Sequence, residues 1–63
     1  MKSAQYIDDK MMAEAAKQAV STIKPYTRDA AIASIYAQFQ FLNGGDLYWV
    51  TTEIATAERK SSR

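Results

Sequence analysis

The chain has 63 residues, enough for one small domain whose core alone gives only marginal stability. It contains no cysteine and no histidine, which excludes disulfides, thiol nucleophiles, Cys/His zinc sites and histidine general bases. A net charge of +1 lies far from the strong basic bias of a dedicated nucleic-acid binder. Because no apolar run has the length of a membrane span or resembles a signal peptide, we expect a soluble, cytoplasmic protein without membrane contacts.

The apolar residues are mostly small. Hydrophobic residues make up 48% of the chain, but 11 of the 30 are alanine and only nine are Val, Ile or Leu. Alanine buries little area, so a monomeric core gains little free energy from it. We therefore expect a second copy of the chain, or another protein, to add buried surface as a homo-oligomer or a complex.

The first segment has the pattern of a helix with one buried side. Asp8 is a good N-cap, and Ile7 and Met12 are placed as a hydrophobic staple around it. The predicted helix ends at Lys24, because Pro25 disfavours helical backbone in the residue before it. The apolar face consists of Met11, Met12, Ala15, Ala16, Ala19, Val20 and Ile23.

The second segment has two apolar sides. Thr27 is the predicted N-cap, and Asp29 lies in the first turn, where it suits the helix dipole. One stripe consists of Ile32, Ile35, Phe39 and Leu42, and the opposite stripe of Ala30, Ala33, Ala37 and Phe41. Such a helix packs between two neighbours in the monomer or carries a dimer interface, and both interpretations stay open.

The third segment, "NGGDLYWVTTEI", fits either a β-hairpin or a helix boundary. As a hairpin, residues 43 to 46 form the turn between "QFQFL" and "LYWVTT", which are rich in β-forming residues. As a boundary, Asn43 and Gly44 form a left-handed helix C-cap and Asp46 forms the next N-cap. The helix is favoured because an apolar stripe continues beyond the end of a short strand, through Leu47, Val50, Ile54 and Ala57.

These patterns together predict an all-α fold, a small three-helix domain with helices at about 4–24, 27–43 and 46–60. Three amphipathic helices can form a small bundle, whereas a lone two-stranded ribbon is poorly stable. The alternative is α+β, with a C-terminal β-hairpin around residues 43 to 46. We expect a single domain over residues 1–63, in which 59–63 form a flexible basic tail.

Two adjacent aromatic residues, Tyr48 and Trp49, leave the core stripe of the third helix in different directions. They lie about 100° and 200° around the helix from Leu47, so we expect Trp49 to be exposed. It folds over the end of the bundle, covers Phe41 on the alanine side of the second helix, or makes an intermolecular contact, since Trp and Tyr are enriched at binding hot spots. The expected partner-binding patch consists of Tyr36, Phe41, Tyr48 and Trp49.

The expected function is therefore that of a non-enzymatic protein-binding module. It is a small regulator, inhibitor or adaptor of the kind that bacteria and phages encode, and it buries the aromatic patch on a partner or on itself. Catalysis is not expected, because the neighbouring carboxylates of Asp8 and Asp9 do not face each other on a helix. The glycine-rich "NGGD" lacks the lysine of a P-loop. We expect no metal, cofactor or small-molecule substrate.

The alternative function is a small helix-turn-helix-like DNA-binding regulator. The third helix would then enter the groove, yet its first three turns contain Glu53 and no basic residue. The candidate phosphate contacts are Arg59, Lys60 and Arg63. Salt dependence separates the two functions, because phosphate-driven binding weakens steeply as salt rises, whereas aromatic burial responds little.

Overall fold

A computed structural model describes residues 7–61, which form three α-helices and no strand. Helix α1 spans Asp9–Thr22, α2 spans Arg28–Gln38 and α3 spans Leu47–Ser61, and a 3-10 turn, Gly44–Asp46, leads into α3. The all-α prediction is confirmed for this part of the chain, and the β-hairpin alternative is not supported. Within the same residues, no helix is long and apolar enough to cross a membrane.

The first two helices begin where the sequence predicts their caps. Asp8 Oδ1 accepts a hydrogen bond from the Met11 N–H at 2.9 Å. Thr27 Oγ1 accepts one from the Ala30 N–H at 3.1 Å. Each bond satisfies an N–H that has no partner inside the helix. Ile7 is buried in the core, on the N-terminal side of the Asp8 cap, as the staple requires.

The same two helices end earlier than the sequence predicts. Helix α1 ends at Thr22 rather than Lys24, because Ile23 already has extended backbone and packs against the core. Helix α2 ends at Gln38 rather than near residue 43, and Phe39 leaves the helical region at φ −118° and ψ 84°. Residues 7 and 8 are not helical, and the predicted first turn at residues 4–6 lies outside the described residues.

The glycine pair starts α3 and does not end α2. Neither glycine has a positive φ, so the predicted left-handed C-cap is wrong. Asn43 Oδ1 accepts from the Gly45 N–H at 2.8 Å, and Asp46 Oδ2 accepts from the Asn43 N–H at 3.1 Å. Asn43, and not Asp46 as predicted, is therefore the N-cap. The side chains of Asn43 and Asp46 each accept a hydrogen bond from a backbone N–H of this turn, an arrangement known as a capping box.

The core lies between the three helices and is rich in alanine. Helix α1 packs most extensively against α3. Three alanines of α1 are buried, which allows close approach of the neighbouring backbones. The core consists of Ile7, Met12, Ala15, Ala16, Ala19, Ala31, Ile35, Val50 and Ile54.

Helix α2 buries one side, and of the four residues of its predicted alanine stripe two are exposed and two are half-buried. Ile35 and Ala31 are fully buried, whereas Ala33 and Ala37 are exposed. The sequence pattern missed Ala31, which lies one turn before Ile35 on the same side of the helix. Helix α2 is thus not enclosed on opposite sides within the monomer. Its role as a dimer interface stays a prediction.

Candidate protein-binding surface

An exposed aromatic residue marks the beginning of α3. The side chain of Tyr48 is 81% exposed, and the neighbouring Leu47 is 45% exposed. Both residues lie in the first turn of α3, next to the loop that follows α2. An exposed tyrosine beside an exposed leucine presents apolar area together with a polar hydroxyl, a combination typical of protein interfaces.

Hydrogen bonds hold the backbone of this turn in place. The Tyr36 hydroxyl donates to the Asn43 carbonyl oxygen at 2.7 Å, which fixes the loop to α2. Thr51 Oγ1 donates to the carbonyl oxygens of Leu47 and Tyr48 at 2.9 and 3.0 Å. Together with the capping box, these bonds connect the first turn of α3 to the loop before it and to the next turn of the helix. A preorganised surface loses less entropy on binding than a flexible one.

Trp49 faces a different side of α3 from Tyr48. Its side chain is half-buried and packs against the core, so the expected exposure of Trp49 is not found. At intervals of four and seven residues, Trp49 shares a helix face with Glu53 and Thr56. Those two residues line a groove between α1 and α3. Trp49 therefore lies on the α1 side of the helix, and the two adjacent aromatic rings belong to separate surfaces.

The other two predicted patch residues are partly covered. Tyr36 and Phe41 are half-buried, and both pack against the core. The Phe41 ring lies 6.1 Å from that of Phe39, centroid to centroid, at 60°. All four predicted residues lie near the end of α2 and the start of α3, but Tyr48 alone among them is classed as exposed.

Sequence patterning assigned two further exposed residues to the core. Leu47 and Met11 fall on the predicted apolar stripes, yet they are 45% and 38% exposed. Each lies in the first turn of its helix, where neighbouring helices cover less of the stripe. Helical periodicity gives the direction of a side chain, but not how far the neighbouring helix extends.

The basic residues of the alternative function lie far from Tyr48. Arg59 and Lys60 are exposed in the last turn of α3, so the predicted basic tail begins inside the helix. At 1.5 Å per residue, Arg59 is about 16 Å along the helix axis from Tyr48. Arg63 lies outside the described residues. Within residues 7–61, no group of three or more acidic side chains could hold a metal ion.

Comparison with known proteins returns no relative: no protein-family model, curated protein or solved structure matches the chain.

Proposed function

We propose that this chain is a non-enzymatic protein-binding module, a small regulator, inhibitor or adaptor. It binds another protein through the surface at the start of α3, around Tyr48 and Leu47. The observation that carries this proposal is the 81% exposure of Tyr48 on a turn that hydrogen bonds already hold in place.

The exposed residues of this surface are expected to carry most of the binding energy. Truncating a hot-spot aromatic residue at a well-packed interface costs about 2 kcal/mol or more. Tyr48 has the most side-chain area to bury, and Leu47 extends that area. Tyr36 and Phe41 are half-buried, so they present less area to a partner, and the half-buried Trp49 faces a different side of α3.

Affinity capture with matched variants tests this function. The wild type and Tyr48→Ala are used as bait in lysate from the source cells, and Ser34→Ala, an exposed position on α2, is the control. We expect one protein to be retained by the wild type and the control and to be depleted at least tenfold with Tyr48→Ala. Equal retention by all three baits would contradict the proposal.

A salt series on the captured complex separates this function from DNA binding. Contacts made by Tyr48 and Leu47 should weaken little between low and physiological salt, because apolar burial is not screened. Two phosphate contacts through Arg59 and Lys60 would weaken binding about tenfold for a fourfold rise in salt concentration. Nuclease-sensitive retention with a steep salt slope would favour the DNA-binding regulator instead.

A further inference from the structure

A groove of about 390 Å³ runs between α1 and α3, separate from the Tyr48 surface. Its apolar lining is small and consists of Ala13, Val20 and Ala57. Only residues of α1 and α3 line it, and they run from Lys10 to Ser21 and from Glu53 to Ser61. The Tyr26 hydroxyl, four residues after the end of α1, bonds Glu58 near the end of α3, so the C-terminal ends of both helices lie together and the two helices run in the same direction.

Five charged residues surround this small apolar lining. Helix α1 contributes Lys10, Glu14 and Lys17, and α3 contributes Glu53 and Lys60. Among residues 7–61, none of these five side chains forms an ion pair. The salt bridge within these residues joins Arg28 to Glu58. The groove thus presents charges of both signs that the chain itself leaves unpaired within its described part.

Four of these five charges are arranged so that the surface is complementary to itself, and Lys10 lies opposite Ser21 of a second copy in the same arrangement. The midpoint between Glu14 and Lys17 falls in the middle of the α1 lining, and the midpoint between Glu53 and Lys60 falls in the middle of the α3 lining. Consider a two-fold axis that lies in the plane of the interface and crosses both helices at right angles at these two midpoints. Rotation about this axis generates a second copy whose helices run in the opposite direction. It places each glutamate opposite the lysine of the same pair in a second copy.

We propose that a second copy of the chain covers this groove, packed antiparallel across that two-fold axis so that each helix lies on its counterpart. Glu14 then faces Lys17 of the second copy, and Glu53 faces its Lys60. Symmetry doubles each contact, so four ion pairs surround the interface. The small side chains of Ala13 and Ala57 allow the helices to approach closely, and Val20 adds apolar area to the interface.

Complementary charge reversals test the proposal by sedimentation velocity. We expect the wild type to dimerise, and Glu14→Lys and Lys17→Glu each to weaken self-association at least tenfold, because each brings like charges together twice. An equimolar mixture of the two variants should regain a dimer of wild-type affinity, since every contact between the different chains is then attractive. A folding defect cannot produce this rescue.

A second variant pair and a control complete the design. Glu53→Lys and Lys60→Glu should show the same separate loss and joint rescue on the α3 side. Asp29→Lys changes the charge equally on α2, outside the groove, and should leave self-association unchanged. A wild type that stays monomeric up to millimolar concentration would overturn the proposal. So would a dimer insensitive to the reversals, or a mixture without rescue.

The outcome of the dimerisation experiment does not depend on the proposed protein-binding function of Tyr48. Tyr48→Ala leaves the groove intact and should not change self-association, whereas the groove variants should not change capture through Tyr48. Loss of one activity without the other identifies which of the two assignments fails.

Discussion

The hydroxyl of Tyr26 donates a hydrogen bond to the carboxylate of Glu58, which joins the segment before α2 to the C-terminal part of α3. Arg28 adds a second link, because its Nε donates to Glu58 Oε2 at 3.1 Å and its Nη2 pairs with Oε1. Burial, followed by the bond to Glu58, raises the pKa of Tyr26 to about 12. The cluster therefore joins α2 to α3 at one end of the bundle, and Tyr48 lies at the other end of α3.

This cluster predicts a loss of stability in acid. The hydrogen bond from Arg28, and then that from Tyr26, lowers the pKa of Glu58 from 4.5 to about 2. A carboxylate with a depressed folded-state pKa stabilises the protein above its unfolded pKa, and this contribution is lost as the pH falls through the folded value. The melting temperature should therefore fall between pH 4.5 and 2, and Glu58→Gln should reduce that fall. Equal acid sensitivity of both proteins would contradict the role of Glu58.

The core stripe of α3 predicts unequal costs at two of its positions. Val50 is fully buried, so Val50→Ala should destabilise the protein by about 2 kcal/mol through lost burial and a residual cavity. Leu47 is 45% exposed, so Leu47→Ala should change stability by less than about 0.5 kcal/mol. Urea unfolding followed by circular dichroism measures both. Equal costs would show that the start of α3 is packed differently.

The two glycines should respond differently to alanine. An added Cβ at Gly44 meets nothing within 4 Å, so Gly44→Ala should stabilise by about 0.5 kcal/mol because the unfolded chain loses freedom. At Gly45 the Cβ would lie 3.1 Å from Asn43 Oδ1, the capping atom. Gly45→Ala should therefore be the less stable variant. Thermal melts rank the two, and a loss of about 1 kcal/mol or more at Gly44 would indicate a positive φ there.

The adjacent aromatic residues should separate stability from binding. Trp49 is half-buried against the core, so we expect Trp49→Ala to destabilise the monomer by about 1 kcal/mol or more. Tyr48 is 81% exposed, so Tyr48→Ala should cost less than about 0.5 kcal/mol. Thermal unfolding of the two variants beside the wild type provides the comparison. The reverse order would mean that α3 is rotated about its axis.

The sequence carried enough local information to predict the fold class and two helix starts. Asp8 and Thr27 cap through their own side chains, and such bonds depend on a few neighbouring residues. The helix ends were harder to predict, because Phe39 leaves the helix although its residue type permits continuation. Gly44 was misassigned because glycine also fits an ordinary turn, and the bonds between Asn43 and Asp46 decide its role.

The candidate surface could be predicted only in part. Helical spacing correctly separated Tyr48 from Trp49 by direction, since neighbours differ by about 100° around a helix. It did not predict that Trp49 is half-buried or that Leu47 is exposed, because both depend on where α1 and α2 end relative to α3. The α1–α3 groove was also missed, since it joins residues more than 30 positions apart.

Photo-crosslinking from position 48 tests the central claim, that Tyr48 contacts another protein, most directly. A photoreactive phenylalanine analogue replaces Tyr48 in one protein and Ala33, an exposed position on α2, in a second. After irradiation in lysate from the source cells, we predict one discrete protein adduct from position 48 and none of that mass from position 33. Adducts of equal mass and yield at both positions, or none from position 48, would contradict the account.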